Sequence, residues 1–149
     1  MDGPPQEWRA YVLADRTVQG ARPSEWAAAA VAAVETFGAD RLIAETNQGG
    51  EAIRDVIRQV DPMVPYKGIH ARTGKAARAE PIAALYEQGR VSHVSGLHAL
   101  EDQMVKMTRR GFEGDGSPDQ VDALVWALHE VMIEPAREYR RPGVRLLGS

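Results

Sequence analysis

The chain has 149 residues, a formal net charge of −3 and no cysteine. That length supports one domain with a real core. The charge excludes a globally basic nucleic-acid binder, so any anion-binding surface must be local, and the missing cysteines exclude disulfides, thiolate zinc sites and a cysteine nucleophile and suit the cytosol.

Residues 1–7 are polar and proline-rich, without the apolar core of a signal peptide. Residues 8–14, WRAYVLA, read as a strand ending near Asp15, followed by a connector. Ser24 is placed to cap an alanine-rich helix running to Phe37, with Trp26, Ala30, Val31 and Val34 on one side and Gly38 as its stop. RLIAE, 41–45, is a short apolar run of the kind found in buried parallel strands. A tight turn, TNQGG, leads into a helix over 51–60 with Ile53, Val56, Ile57 and Val60 inward. YKGIHA, 66–71, is a weaker strand. A helix over 75–88 follows, which Pro81 must kink or start, and Gly89 ends it. VSHV is a short strand, 98–107 a helix and RRGFEGDG a loop. The last helix spans 118–132, with a core stripe of Val121, Leu124, Val125, Leu128 and Met132, and the arginine-rich remainder is peripheral. No apolar run approaches the roughly 20 residues of a membrane span.

Alternating strands and helices predict an α/β fold with a largely parallel sheet. Ligands in such sheets sit beyond the carboxyl ends of the strands. Glu45 ends the clearest strand, so its carboxylate stands where chemistry is usual. Ser117-Pro118-Asp119-Gln120 has the form of a capping box with proline at the first helical position. Asp119 and Asp122, three apart, then share one helix face beside the core stripe. Acids in a first turn also simply complement the macrodipole, by a few tenths up to about 1 kcal/mol, and Glu45 has an alternative use in reaching the amides of the Gly49-Gly50 turn. Taken together, hard oxygen donors converging at a strand end suit Mg²⁺ or Mn²⁺. Two such ions about 4 Å apart can activate water and stabilise the leaving oxygen in phosphodiester cleavage. Spacing leaves both readings open.

A family resemblance bears on the choice. RLIAETNQGG, VPYKGIHARTGKAARAEPIAALYEQGRVSHV, LEDQM and GSPDQVDALVWAL occur in the order seen in the nuclease domain of phage DNA-packaging terminase large subunits. The resemblance covers roughly residues 9–132. It implies an RNase H-like three-layer fold and a metal-dependent endonuclease that cuts concatemeric DNA during packaging. It also implies double-stranded DNA, an ATPase domain, a small terminase subunit and a portal as partners, in the cytoplasm of a phage-infected or prophage-carrying bacterium. Glu45 matches the family's acid at the end of its fourth strand, and Asp119 the acid of its last helix. Asp122 is a nearby acid placed to bind metal or orient a water. The family's first catalytic aspartate, on its first strand, has no match. MDGPPQEWRAYVLAD resembles the hairpin turn and third strand, so the expected fold is N-terminally truncated, with an incomplete nuclease domain over 1–134 and a basic tail over 135–149. Asp15 is not the missing aspartate.

GIHARTGKAAR resembles a phosphate-binding loop and fails as one, with five residues between its glycines and Ala76 after Lys75. Lys67, Arg72, Lys75 and Arg78 come with no acid between them, and Lys75 and Arg78 share a helix face. They read either as a solvated face or as phosphate contacts that ignore base sequence. Arg109 and Arg110 form a second candidate contact, and arginines 137, 140, 141 and 145 a basic tail. The four histidines lack metal-ligand spacing and read as structural or surface residues. Two rivals to the endonuclease remain, a catalytically incomplete DNA- or subunit-binding remnant and another RNase H-like nuclease such as a resolvase.

Overall fold

A computed structural model describes residues 3–46, 50–108 and 111–139. The chain divides into two units, one of residues 14–74 and the other of residues 1–13 with 75–149.

In the 14–74 unit, α1 spans Pro23–Phe37. Arg22 rather than Ser24 takes the N-cap position, extended at φ −68° and ψ 158°, with Pro23 opening the helix. Proline's fixed φ suits the first turn and drives the preceding residue out of helical geometry. Gly38 closes α1 as expected, left-handed at φ 58°. β2 (Leu42–Glu45), α2 (Gly50–Val60) and β3 (Tyr66–Ile69) follow, the first strand, β1 (Ala10–Val12), belonging to the other unit. β2 and β3 are parallel, with Leu42 opposite Tyr66 and Glu45 opposite Ile69. Their core is Ala27, Val31, Ile57 and Val64, flanked by Trp26, Val34, Ile53 and Val56. Val60, expected inward, is 42% exposed at the end of α2, past the last turn that meets the core.

The other unit contains a 3₁₀ turn (Pro5–Glu7), β1 (Ala10–Val12), α3 (Lys75–Glu87), β4 (Val91–His93) and α4 (His98–Val105). Then come β5 (Met107–Thr108), β6 (Gly111–Phe112), α5 (Asp119–Leu128), a π turn (His129–Ile133) and α6 (Glu134–Glu138). β1 and β4 pair in parallel, with Ala10 opposite Val91. Arg90 reinforces this by donating from Nε to the Trp8 carbonyl at 3.1 Å, and Arg9 Nη1 donates to the Gly89 carbonyl at 3.0 Å. The stripe expected on the last helix is buried throughout, from Val121 to Met132, and packs with Trp8, Ile82, Leu85, Val91 and Leu100.

The described strands form two parallel pairs, one in each unit, and one antiparallel pair. Three further expectations need correction. RRGFEGDG is not all loop. Gly111–Phe112 pair antiparallel with Met107–Thr108, and Glu113 N donates to the Lys106 carbonyl at 2.9 Å; strands of two residues are too short to show periodicity. The last helix is α-helical only to Leu128, where a π turn takes over ahead of Pro135. Proline has no N–H for a regular helical bond there. The chain stays attached beyond it, because Ala136 and Tyr139 pack on the core and the Tyr139 ring meets Trp8 edge-on at 6.1 Å. Pro81 neither starts nor breaks α3, whose buried stripe of Arg78, Ile82 and Leu85 runs past it.

Candidate active site

The amino end of α5 is where three sequence-named residues meet. Asp119 is its first residue and Asp122 its fourth, one position earlier than a capping box would put them. The box does not form. Pro118, at φ −79° and ψ 55°, takes the cap position and makes no side-chain cap bond. Helix-start amides must still find acceptors. Asp122 N donates to the Pro118 carbonyl at 2.9 Å, and Val121 N donates at 2.8 Å to Gln103 Oε1, a side chain of α4. Gln103 Nε2 in turn donates to Gln120 Oε1 at 3.2 Å. A neighbouring helix therefore supplies the cap that this helix's own sequence does not.

Asp119 is exposed, whereas the Asp122 side chain is only 15% exposed. Lys75, the first residue of α3, places Nζ 2.7 Å from Asp122 Oδ2 and 3.4 Å from Ser117 Oγ. One turn on, the Arg78 guanidinium lies 4.7 Å from the centre of the Trp126 ring, a cation–π contact. Lys75 and Arg78 share a face, as their spacing predicts, and that face is turned to Asp122 and Trp126 of α5. Arg78 is 8% exposed. His129 Nε2 donates to the Arg78 carbonyl at 2.8 Å, so this histidine is structural.

Glu45 ends β2 half-buried in the 14–74 unit, and Thr46 N continues the ladder by donating to the Ile69 carbonyl at 2.9 Å. Lys67 is exposed on β3 and Arg72 is exposed beyond it. Arg109 and Arg110 lie outside the described residues, as do arginines 140, 141 and 145. Arg137 pairs with Glu134 at 2.7 Å.

The donor chemistry of Asp119 and Asp122, carboxylate oxygens beside a helix amino end, is the kind hard cations take. The number falls short. Among the described residues, no three Asp, Glu or His side chains stand close enough to hold a metal ion.

Two groups went unnoticed in the sequence. Gln103 is one, although it lies in the LEDQM run that resembles the terminases. The other is a chain of three polar side chains. Tyr86 Oη of α3 is 2.6 Å from His93 Nε2 of β4, and His93 Nδ1 is 3.2 Å from Glu101 Oε1 of α4. Burial first, and the Glu101 charge second, push the Tyr86 hydroxyl up to about 12. No local motif marks three residues on three elements.

The model of one family, the terminase RNaseH-like domain, matches residues 5–131. The chain belongs to that family. It is a terminase nuclease-type domain with an RNase H-like fold. No curated protein and no solved structure matches it. Glu45, Asp119 and Asp122 all fall within the matched terminase segment, as do α3 and α4. Among the described residues no helix is long and apolar enough to cross a membrane.

Proposed function

We propose that this terminase domain is the metal-dependent DNA endonuclease of a phage terminase large subunit, cutting concatemeric DNA during genome packaging in the bacterial cytoplasm. The observation that carries the reading is the acidic pair at the start of α5, inside the segment matched by the terminase model. Asp119 and Asp122 offer oxygens to Mg²⁺ or Mn²⁺. Glu45 is the acid that sequence resemblance assigns to the same chemistry. A divalent cation bound there would supply Lewis-acid chemistry for phosphodiester hydrolysis, with Asp119 and Asp122 among its donors. Lys75 holds the Asp122 carboxylate in place through their ion pair. Lys67, Arg72, Lys75, Arg109 and Arg110 are the candidates for phosphate contact. Arg78, buried against Trp126, contributes by holding α3 to α5. The partners that fit this role are double-stranded DNA, the ATPase domain, the small subunit and the portal.

A second reading is a DNA- or subunit-binding form of the domain without cleavage. It is favoured by the Lys75 ammonium that already neutralises Asp122, and by the absence of a third donor among the described residues. Nicking of supercoiled plasmid in Mn²⁺ and in EDTA, beside Asp119→Ala, separates the two. The nuclease reading expects Mn²⁺-dependent nicking that falls by about a hundred-fold or more in the variant. A folded wild-type chain that binds DNA and never nicks it would establish the second.

A further inference from the structure

In the 14–74 unit, a shallow pocket of about 480 Å³ opens beside the first turns of α2. Thr46, Glu51, Arg54, Arg58, Tyr66 and Gly68 are among the residues that line it. The two arginines are four residues apart on a helix, so their guanidinium groups share a face. The Tyr66 hydroxyl is the odd feature. Among the described residues it is the one buried side-chain polar atom without a hydrogen-bond partner. A buried donor with nothing to donate to is destabilising, and natural structures seldom keep one without a use.

Two glycines border the same space. A Cβ at Gly68 would stand 3.7 Å from Tyr66 Oη and only 3.0 Å from Thr46 Cγ2, and a Cβ at Gly50 would come within 2.5 Å of Thr46 Cβ. Side chains at both positions would crowd the floor of the pocket. Burial pushes the Tyr66 hydroxyl above its usual range and the Arg54 guanidinium pulls against that shift. The phenol therefore stays protonated, a donor, with a cation close enough to act on it. Two arginines and a tyrosine line one space with a single glutamate. A group with several acceptor oxygens and negative charge satisfies them together, and guanidinium matches phosphate geometry well. The positive end of α2 adds to the same preference.

We propose that this pocket binds a phosphate group through Arg54, Arg58 and Tyr66. On the nuclease reading above, on which this assignment of source rests, the phosphate is one of the DNA backbone. The pocket would hold a strand by its phosphate without reading its bases. Neither arginine, nor Tyr66, stands out in the sequence as a nucleic-acid contact.

The test uses the full chain in EDTA, so that binding is read without cleavage. Inorganic phosphate is titrated against the backbone amide signals of Gly50 and Gly68. A short labelled duplex is titrated by fluorescence anisotropy at several salt concentrations. Arg54→Gln/Arg58→Gln is expected to weaken phosphate binding about ten-fold or more, and to lower the slope of duplex affinity against salt by about one to two. Tyr66→Phe is expected to weaken phosphate binding several-fold while leaving the urea midpoint unchanged or higher, since it deletes a buried hydroxyl that has no partner. That pairing of weaker binding with undiminished stability is what a structural role would not produce. Unchanged phosphate and duplex binding in the arginine variant would overturn the site. Unchanged phosphate binding in Tyr66→Phe would remove the hydroxyl from it. Loss of phosphate binding with unaltered duplex affinity would overturn the DNA assignment and leave a site for free phosphate or a nucleotide. Failure of Mn²⁺-dependent nicking leaves each of these binding results as it stands, so the two readings fail separately.

Discussion

Single side chains decide the electrostatics of this domain. Tyr86 illustrates how a half-buried phenol becomes a pH sensor for stability. Its hydroxyl, next to His93 and in the field of Glu101, is pushed up to about 12 from 10.0. The folded chain therefore holds this proton more tightly than the unfolded chain does. Its contribution is fully present below pH 10 and is lost as pH rises towards 12. After allowance for solvent screening the loss is on the order of 1 kcal/mol. Urea midpoints at increasing alkaline pH are expected to fall more steeply for the wild type than for Tyr86→Phe, and parallel curves would show that the shift is absent. The Lys75–Asp122 pair shows the other side of residue-scale reading. The spacing of the acids was plain in GSPDQVDALVWAL, and the burial stripe beside them was borne out residue by residue. The capping box in the same stretch was not, because a motif states which atoms are available and not which partners arrive first. With Pro118 in the cap position, Ser117 faces Lys75 instead of the helix.

At the scale of elements, α4 and α3 hold the amino end of α5 from outside. Gln103 caps Val121 across 2.8 Å, and Lys75 holds Asp122 across 2.7 Å. Gln103→Met keeps volume and removes the acceptor, and is expected to cost about 1–2 kcal/mol, the usual value of a lost cap or an unpaired buried amide. Gln103→Glu keeps an acceptor and places a negative charge at a helix amino end, and is expected to retain most of the stability. Amide exchange at Val121 is the direct readout. Faster exchange in Gln103→Met than in Gln103→Glu is the expected order, and equal rates would show that the bond contributes nothing. Helix existence was legible in the apolar spacing for all the long helices, and the glycine stops at Gly38 and Gly89 fell where expected. Termini were less legible. α1 begins on Pro23, not after a Ser24 cap, and the last helix passes into a π turn whose cause, Pro135, lies several residues downstream.

At the scale of the whole molecule, two hydrophobic clusters carry the two units. Ile57, 1% exposed, lies at the centre of one, and Met132, 2% exposed, belongs to the other. Truncating either leaves a cavity, and Ile57→Ala or Met132→Ala is each expected to cost about 2–5 kcal/mol. The readout is local. Ile57→Ala should lower amide protection in α1 and α2, and Met132→Ala in α3 and α5. A variant that leaves its own unit's protection untouched would show that the site relaxes around the loss.

The sequence by itself determined the alternation of strands and helices, the parallel character of β2, the core face of α5 and membership of the terminase RNase H-like family. These rest on periodicity and on runs of residues close together in the chain, which a linear reading can see. Only the tertiary structure decided that Arg78 is buried under Trp126, that Lys75 belongs to Asp122, that Gln103 caps a helix other than its own and that Tyr66 has a donor with nothing to bind. Each of those facts depends on atoms brought together from distant positions, where burial and competition between partners set the outcome and no spacing rule applies.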